Sequence, residues 1–126
     1  FGELEYRGLN FEHKLLDYTD NYQGVAVINY PQKKYSYTRI IEHKHFTDTK
    51  SKNTIITYEH PSDYRKGDIP YYPINDEKNQ KIYEKYRQKS KSFNNVIFGG
   101  RLSEYRYYDM HQVIASAMMR FKQENN

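Results

Sequence analysis

Between Val96 and Met119 the sequence runs V-I-F-G-G-R-L-S-E-Y-R-Y-Y-D-M-H-Q-V-I-A-S-A-M-M, an order of residue types that leaves few folds open. Val96, Ile97 and Phe98 form a short apolar run that reads as a strand. Gly99-Gly100 then lets the backbone turn sharply or approach a ligand closely. Arg101, Tyr105, Arg106, Tyr107 and Tyr108 crowd hydrogen-bond donors into a few positions. Asp109 reads as a helix N-cap, with Gln112 completing a capping box. From there Met110, Val113, Ile114, Ala117, Met118 and Phe121 recur at helical spacing and predict one buried stripe. A helix starting at this point turns its free N–H groups toward the arginine and tyrosine loop, as an anion or cofactor site requires. Ordinary strand-turn-helix packing has the same pattern.

The rest of the chain supplies an unusual core. With 15 Tyr, 6 Phe, no Trp and a mean hydropathy of -1.11, aliphatic packing is thin and phenols must substitute for it. Buried phenols need partners for their hydroxyls. At 126 residues the length predicts one domain with one core. The absence of Cys excludes a disulfide framework and a thiolate zinc site, and is compatible with a cytoplasmic location. No apolar run is long enough to span a membrane, and no membrane partner is expected. The net charge of +4 suits an anionic partner such as phosphate, pyrophosphate or nucleic acid.

Two-residue alternation places a first strand over residues 4–11 and a second over 25–30, read as antiparallel neighbours. Residues 35–46 read as the most informative strand. Its alternation puts Tyr35, Tyr37, Arg39, Ile41, His43 and His45 on one face, aromatic and cationic. That face is either solvent-exposed or a binding face, in which Arg39 and the Tyr37 hydroxyl grip a phosphate together. His43 and His45 have metal-like spacing, yet only the distant His13 and His60 could add a third ligand, so no metal is assigned. A fourth short strand follows at 54–58, and residues 59–69 read as a surface connection. Asn75 or Asp76 caps a charged helix that runs to about Lys89.

Several blocks occur in an order that carries a resemblance. These are Y-R-G-L-N-F-E, N-Y-Q-G-V-A-V-I-N-Y, Y-T-R-I-I-E-H-K-H-F, P-Y-Y-P-I-N-D and F-G-G-R-L-S-E-Y-R-Y-Y-D-M, spread over almost the whole length. In these the chain resembles the C-terminal part of the UDP-galactopyranose mutases, flavoenzymes that interconvert UDP-galactopyranose and UDP-galactofuranose with reduced FAD. The resemblance implies an α+β fold, with an antiparallel β-sheet of about four to six strands and two helices. The last helix and the strand before it would belong to the FAD-binding layer of the parent enzyme. It also implies a single C-terminal fragment over residues 1–126, with a mostly β substrate-binding sheet at 1–75 and a helix-strand-loop-helix return at 76–126.

Carried over by motif, Arg39, Tyr72 and Tyr107 are the expected contacts to the substrate diphosphate, joined by Tyr37 from its place beside Arg39, and Arg101, Asp109 and Met110 are the expected contacts to FAD, joined by Gly100 from its glycine turn. No residue is assigned as catalytic, because in this family the nucleophile belongs to the flavin. Structural roles stand beside these: Asp109 as a helix cap, Tyr72 as a brace for its proline turn. Gly8 stands where many relatives have serine and Tyr64 where they often have tryptophan, changes the pattern tolerates. The glycine-rich G-x-G-x-x-G fingerprint that seats an FAD pyrophosphate is missing. The expected partners are therefore UDP-galactose and the N-terminal remainder of the same enzyme, while the isolated piece is expected to retain no FAD and to be inactive. Oligomeric state does not transfer. The competing class is a basic, tyrosine-rich domain binding single-stranded nucleic acid, with Tyr35, Tyr37, Tyr107 and Tyr108 stacking bases. Its basic residues, however, cluster between Lys78 and Lys91, away from those tyrosines.

Overall fold

A computed structural model describes residues 1–47 and 49–125. The elements in chain order are β1 (Tyr6–Leu16), β2 (Val27–Asn29), β3 (Arg39–Glu42), a 3₁₀ turn (His43–Phe46), β4 (Thr54–Asp63), β5 (Tyr72–Pro73), α1 (Glu77–Ser90), α2 (Gly100–Ser103) and α3 (Met110–Glu124). This is an α+β fold, and its strands form one antiparallel sheet in the order β2-β3-β4-β1-β5. The expected pairing of the first two strands does not occur. β2 has only three residues, and it pairs with β3, the strand it reaches through the turn at Pro31. By compactness the chain divides into two units: Gly8–Asp63, and Phe1–Arg7 together with Tyr64–Asn126.

The unit Gly8–Asp63 is built on β3 and β4. Antiparallel register sets Ile40 opposite Tyr58 and Glu42 opposite Ile56, while Arg39 lies opposite both Asn29 and Glu59. Period-two alternation then separates the two faces. Ile40 and Glu42 are buried, and Arg39 and Ile41 are only half-buried. The apolar core is small, with Ile40 and Ile56 its fully buried aliphatic members. Buried polar groups complete it: Glu42, Thr54, Thr57 and Glu59. The extended reading of residues 35–46 is corrected at its second half, because the strand ends at Glu42 and the chain tightens into the 3₁₀ turn. His43 and His45 therefore share no strand face. His43 Nε2 and His13 Nδ1 both hydrogen-bond the Thr57 hydroxyl, at 2.6 and 2.7 Å, and His45 Nε2 pairs with Glu42 at 3.0 Å. Among the described residues no three His, Cys, Asp or Glu side chains gather as a metal site.

Gly8 is also less replaceable than its sequence context suggests. A Cβ there would meet Ser62 Oγ at 2.7 Å and the carbonyl oxygens of Ser62 and Asp63 at 3.3 Å each. The hydroxyl can swing aside, but two backbone carbonyls cannot. Gly8→Val is expected to destabilise the protein by about 1–3 kcal/mol, the usual range for overpacking, read as a lower urea midpoint.

In the second unit the phenols do replace an aliphatic core. Tyr105 is completely buried. Its ring meets Tyr6 edge-on at 5.5 Å between centroids and stacks with Tyr83 at 6.0 Å, and Tyr6 in turn meets Tyr64 at 5.6 Å. The Tyr105 hydroxyl donates to the Glu5 and Ile74 carbonyls and accepts from the Ile74 N–H at 3.2 Å. α1 begins where the sequence places it, with the Asp76 side chain accepting from the Asn79 N–H at 2.8 Å. Asn79, fully buried, accepts from the Glu5 N–H at 3.0 Å and so ties the first turn of the helix to the start of β1.

Two expectations about the end of the chain are corrected. Val96–Phe98 is not a strand, and the glycine pair opens the short helix α2 instead of a bare turn. More consequentially, the apolar stripe of α3 is not buried. Met110, Ile114, Met118 and Phe121 are all more than half exposed, while Val113, Ser116 and Arg120 are the half-buried positions.

Candidate functional site

The clearest gathering of functional side chains lies around Arg101, in the first turn of α2. Gly100 has φ +81°, and a Cβ added to it would meet nothing within 4 Å, so glycine serves the backbone conformation there and not a close contact. The short helix that follows aims the Arg101 guanidinium at two phenol rings. Its carbon lies 4.7 Å from the centroid of Tyr107 and 5.4 Å from that of Tyr72, and the two rings lie 5.7 Å apart, tilted by 31°. Guanidinium on aromatic faces is attractive because the ring quadrupole is negative above its plane and because this cation is weakly hydrated. One nitrogen, Arg101 Nη2, is buried without a hydrogen-bond partner. A buried cationic donor of that kind costs free energy until an acceptor reaches it, so it fits an anionic or carbonyl oxygen of a ligand. Tyr107 itself is 60% exposed, leaving its hydroxyl available.

The loop between α2 and α3 is held from both sides. Tyr105, at φ +50°, anchors it inward through the hydroxyl bonds to Glu5 and Ile74. Ser116 donates from α3 to Glu104 at 2.9 Å. Burial pushes the Tyr105 phenol up to about 12, with the Ile74 N–H that donates to its oxygen opposing the rise, so it stays a neutral donor across the physiological range. The expected capping box is present: the Asp109 side chain accepts from the backbone of the third helical residue, and the Asp109 N–H donates to Gln112 Oε1 at 2.9 Å. Met110 opens the helix and is 84% exposed.

Arg39 and Tyr37 belong to the other unit, and each already has partners within it. Arg39 Nε donates to Asn29 Oδ1 at 3.0 Å and its Nη1 lies 3.5 Å from Glu59 Oε2. These partners follow from register, because Asn29 and Glu59 are its cross-strand neighbours. Tyr37 sits in an aromatic cluster, 5.1 Å from Tyr30, 5.3 Å from Tyr35 and 4.9 Å from Tyr58. Burial, then the neighbouring Tyr30, raises its phenol above the ordinary value. Of the expected residues, the structure thus brings Arg101, Tyr72 and Tyr107 into one contact group, with Gly100 adjacent in sequence. Sequence reasoning missed Asn29 and Glu59 as the holders of Arg39, and Tyr105 as the anchor of the loop. Pairing register would have found the first two; nothing local marks Tyr105 within a run of tyrosines and arginines.

A tyrosine platform for nucleic-acid bases finds no support here. The rings of Tyr30, Tyr35 and Tyr37 pack on one another, and the Tyr107 ring carries Arg101.

Among known proteins, the family model described as UDP-galactopyranose mutase matches residues 1–107. The dTDP-fucopyranose mutase of Escherichia coli is 42% identical over 119 residues, covering 94% of this chain and 31% of the relative. A probable UDP-galactopyranose mutase of Klebsiella pneumoniae is also 42% identical over 119 residues, covering 94% of this chain and 30% of the relative. The UDP-galactopyranose mutase of Mycoplasma pneumoniae is 35% identical over 129 residues, covering 98% of this chain and 32% of the relative. The chain spans roughly a third of the length of these relatives. With a family match over most of its residues and ordered motifs that run through both units, this chain belongs to the UDP-galactopyranose mutase family.

Proposed function

We propose that the protein of which this chain is part is a flavin-dependent isomerase that interconverts UDP-galactopyranose and UDP-galactofuranose. The chain contributes side chains for the substrate diphosphate and for FAD. The observation that carries this reading is Arg101, stacked on Tyr72 and Tyr107 with Nη2 buried and unpartnered. A preformed cation with two phenols beside it suits either the flavin's polar edge or a phosphoryl oxygen. When bound, reduced FAD supplies the nucleophile toward the anomeric carbon. Tyr107 and Tyr72 donate hydroxyl hydrogen bonds to the diphosphate, and Arg39 neutralises its charge from β3. Asp109 and the Met110 N–H, at the start of α3, orient the cofactor, and Gly100 supplies the left-handed backbone turn that sets Arg101 in place. The fit to FAD is partial, since the donor set is present but the pyrophosphate fingerprint is not in these residues. The isolated chain therefore retains no flavin after mixing and desalting, and has no activity of its own.

The test is made in the full-length protein, following conversion of the furanose to the pyranose form by chromatography. Arg39→Ala removes a charge-assisted contact worth about 1.5–3 kcal/mol, so kcat/KM falls about 10- to 150-fold. Tyr107→Phe removes a neutral donor and costs about 10-fold or less. Unchanged rates in both variants would refute the assignment of these residues.

One relative favours a second reading of the substrate. The dTDP-fucopyranose mutase is as similar as the Klebsiella protein, so a dTDP-6-deoxysugar is the alternative nucleotide sugar. Parallel assays with UDP-galactofuranose and dTDP-fucofuranose distinguish the two by kcat/KM.

A further inference from the structure

Lys44 stands in the 3₁₀ turn after β3, with its side chain only 10% exposed. Its ammonium donates to the carbonyls of Asp20 and Ser51, the latter at 2.7 Å, and so clasps the loop after β1 to the loop before β4. The Tyr18 N–H ties the same two loops again, donating to Asn53 Oδ1 at 3.0 Å. Between them lies a preformed hollow of about 880 Å³, within the size range of small-molecule sites. A buried cation needs a counter-charge. Among the described residues Asp20 alone supplies one to Lys44, and it does so poorly. Its side chain is 93% exposed and reaches Nζ only at 3.4 Å, against about 2.7–2.9 Å for a charge-assisted bond. Lys50 and Lys52 add two ammonium groups to the wall, and neither has a partner among the described residues. The hydroxyls of Thr47, Thr49 and Ser51 line it as well, while His45 is taken up by Glu42 at 3.0 Å.

We propose that this hollow binds the phosphate monoester of a small polyol, of the sugar-phosphate class, whose phosphoryl group displaces the Asp20 carboxylate from Lys44. Three ammonium groups against a single carboxylate make its described wall cationic. A phosphoryl group brings close to two negative charges and three strongly accepting oxygens, enough to take up ammonium and hydroxyl donors together, where a carboxylate has two oxygens. Ammonium groups act on it as point charges, so the lack of an arginine fork is no obstacle. No Tyr or Phe lines the hollow, which leaves a nucleobase without a face to stack on. The polar wall suits the hydroxyls of a sugar instead. None of these residues is among those assigned to substrate or flavin, so the site stands independently of the mutase reading.

Lysine reactivity reads the hollow directly. The full-length protein is treated with trace acetic anhydride at about pH 8, where a phosphate monoester is a dianion, and acetylation of each lysine is followed by peptide mass spectrometry. Glucose 1-phosphate, inorganic phosphate and glucose are the probes, at constant ionic strength. Glucose 1-phosphate well above its Kd is expected to slow acetylation of Lys50 and Lys52 by about 5-fold or more. The exposed Lys33 and Lys85, outside the hollow, keep their rates, and glucose has no effect. Asp20→Asn, at an exposed position, removes the competing carboxylate and lowers the glucose 1-phosphate concentration for half-protection by about 3- to 5-fold. Unchanged rates at Lys50 and Lys52 would overturn the proposal. So would equal slowing at Lys33 and Lys85, which would report general screening by anions. So would weaker protection in Asp20→Asn, which would make the carboxylate part of the site and not its placeholder. So would half-protection by inorganic phosphate at the same concentration as by glucose 1-phosphate, which would leave a site for the bare ion with no place for a sugar.

Discussion

Glu42→Ala is expected to cost about 3–5 kcal/mol of stability, the range for removing one partner from a buried charged network. The carboxylate is fully buried and accepts the Tyr22 N–H at 3.0 Å, the Gln23 N–H at 2.9 Å and the Thr54 hydroxyl at 2.7 Å, with His45 Nε2 at 3.0 Å. Its removal leaves these donors facing a void. Desolvation alone would raise the pKa of this group, but the backbone bonds from Gln23 and Tyr22, then Thr54 and His45, outweigh it and hold the carboxyl at about 2 instead of 4.5. The linkage has a definite sign. The folded-state pKa is depressed, so the stabilisation is complete above about 4.5 and is lost as pH falls through about 2. At about 1.36 kcal/mol per unit it amounts to about 3 kcal/mol. Urea titrations between about pH 6 and pH 2 should therefore show a decline in the wild-type protein that is strongly flattened in Glu42→Gln. An equal acid slope in both would show that this carboxylate is not the group responsible.

Tyr105→Phe removes only one oxygen, yet it is expected to destabilise the protein by about 2–3 kcal/mol. The half-buried Glu5 and Ile74 carbonyls lose the one hydroxyl proton they share, and the Ile74 N–H loses one of its acceptors. Tyr105→Ala adds a cavity beneath Tyr6 and Tyr83 and should cost about 3–5 kcal/mol. The two variants separate the hydroxyl from the ring. The local consequence is at β5, because Ile74 directly follows Tyr72–Pro73, and Tyr72 carries one of the rings under Arg101. Hydrogen exchange at the Ile74 amide should accelerate in Tyr105→Phe by about 10-fold or more, whereas amides of β3 and β4 should change only with global stability. No change at Ile74 would mean that the Glu5 carbonyl, 3.2 Å from that N–H, suffices to hold it.

The sequence alone determined what depends on near neighbours. The capped starts of α1 and α3 and the replacement of an aliphatic core by phenols follow from spacing and composition, because caps act within a few residues, while the α+β class came with the resemblance. The ordered motifs pointed to the family, which the matches to curated mutases then established. Tertiary structure alone decided which partners each polar group found. Residues 43–46 left the strand because the chain tightens into a 3₁₀ turn, where His43 and His45 bond to Thr57 and Glu42. Tyr105 became a buried anchor, and not another exposed donor, because Glu5, just before β1, and Ile74, just after β5, present carbonyls to its hydroxyl from 100 and 31 residues away. The stripe of α3 has helical periodicity, but periodicity does not say what will cover it, and here the helix packs through Val113, Ser116 and Arg120. Long-range pairing sets which face of an element is inside, and no local pattern encodes it.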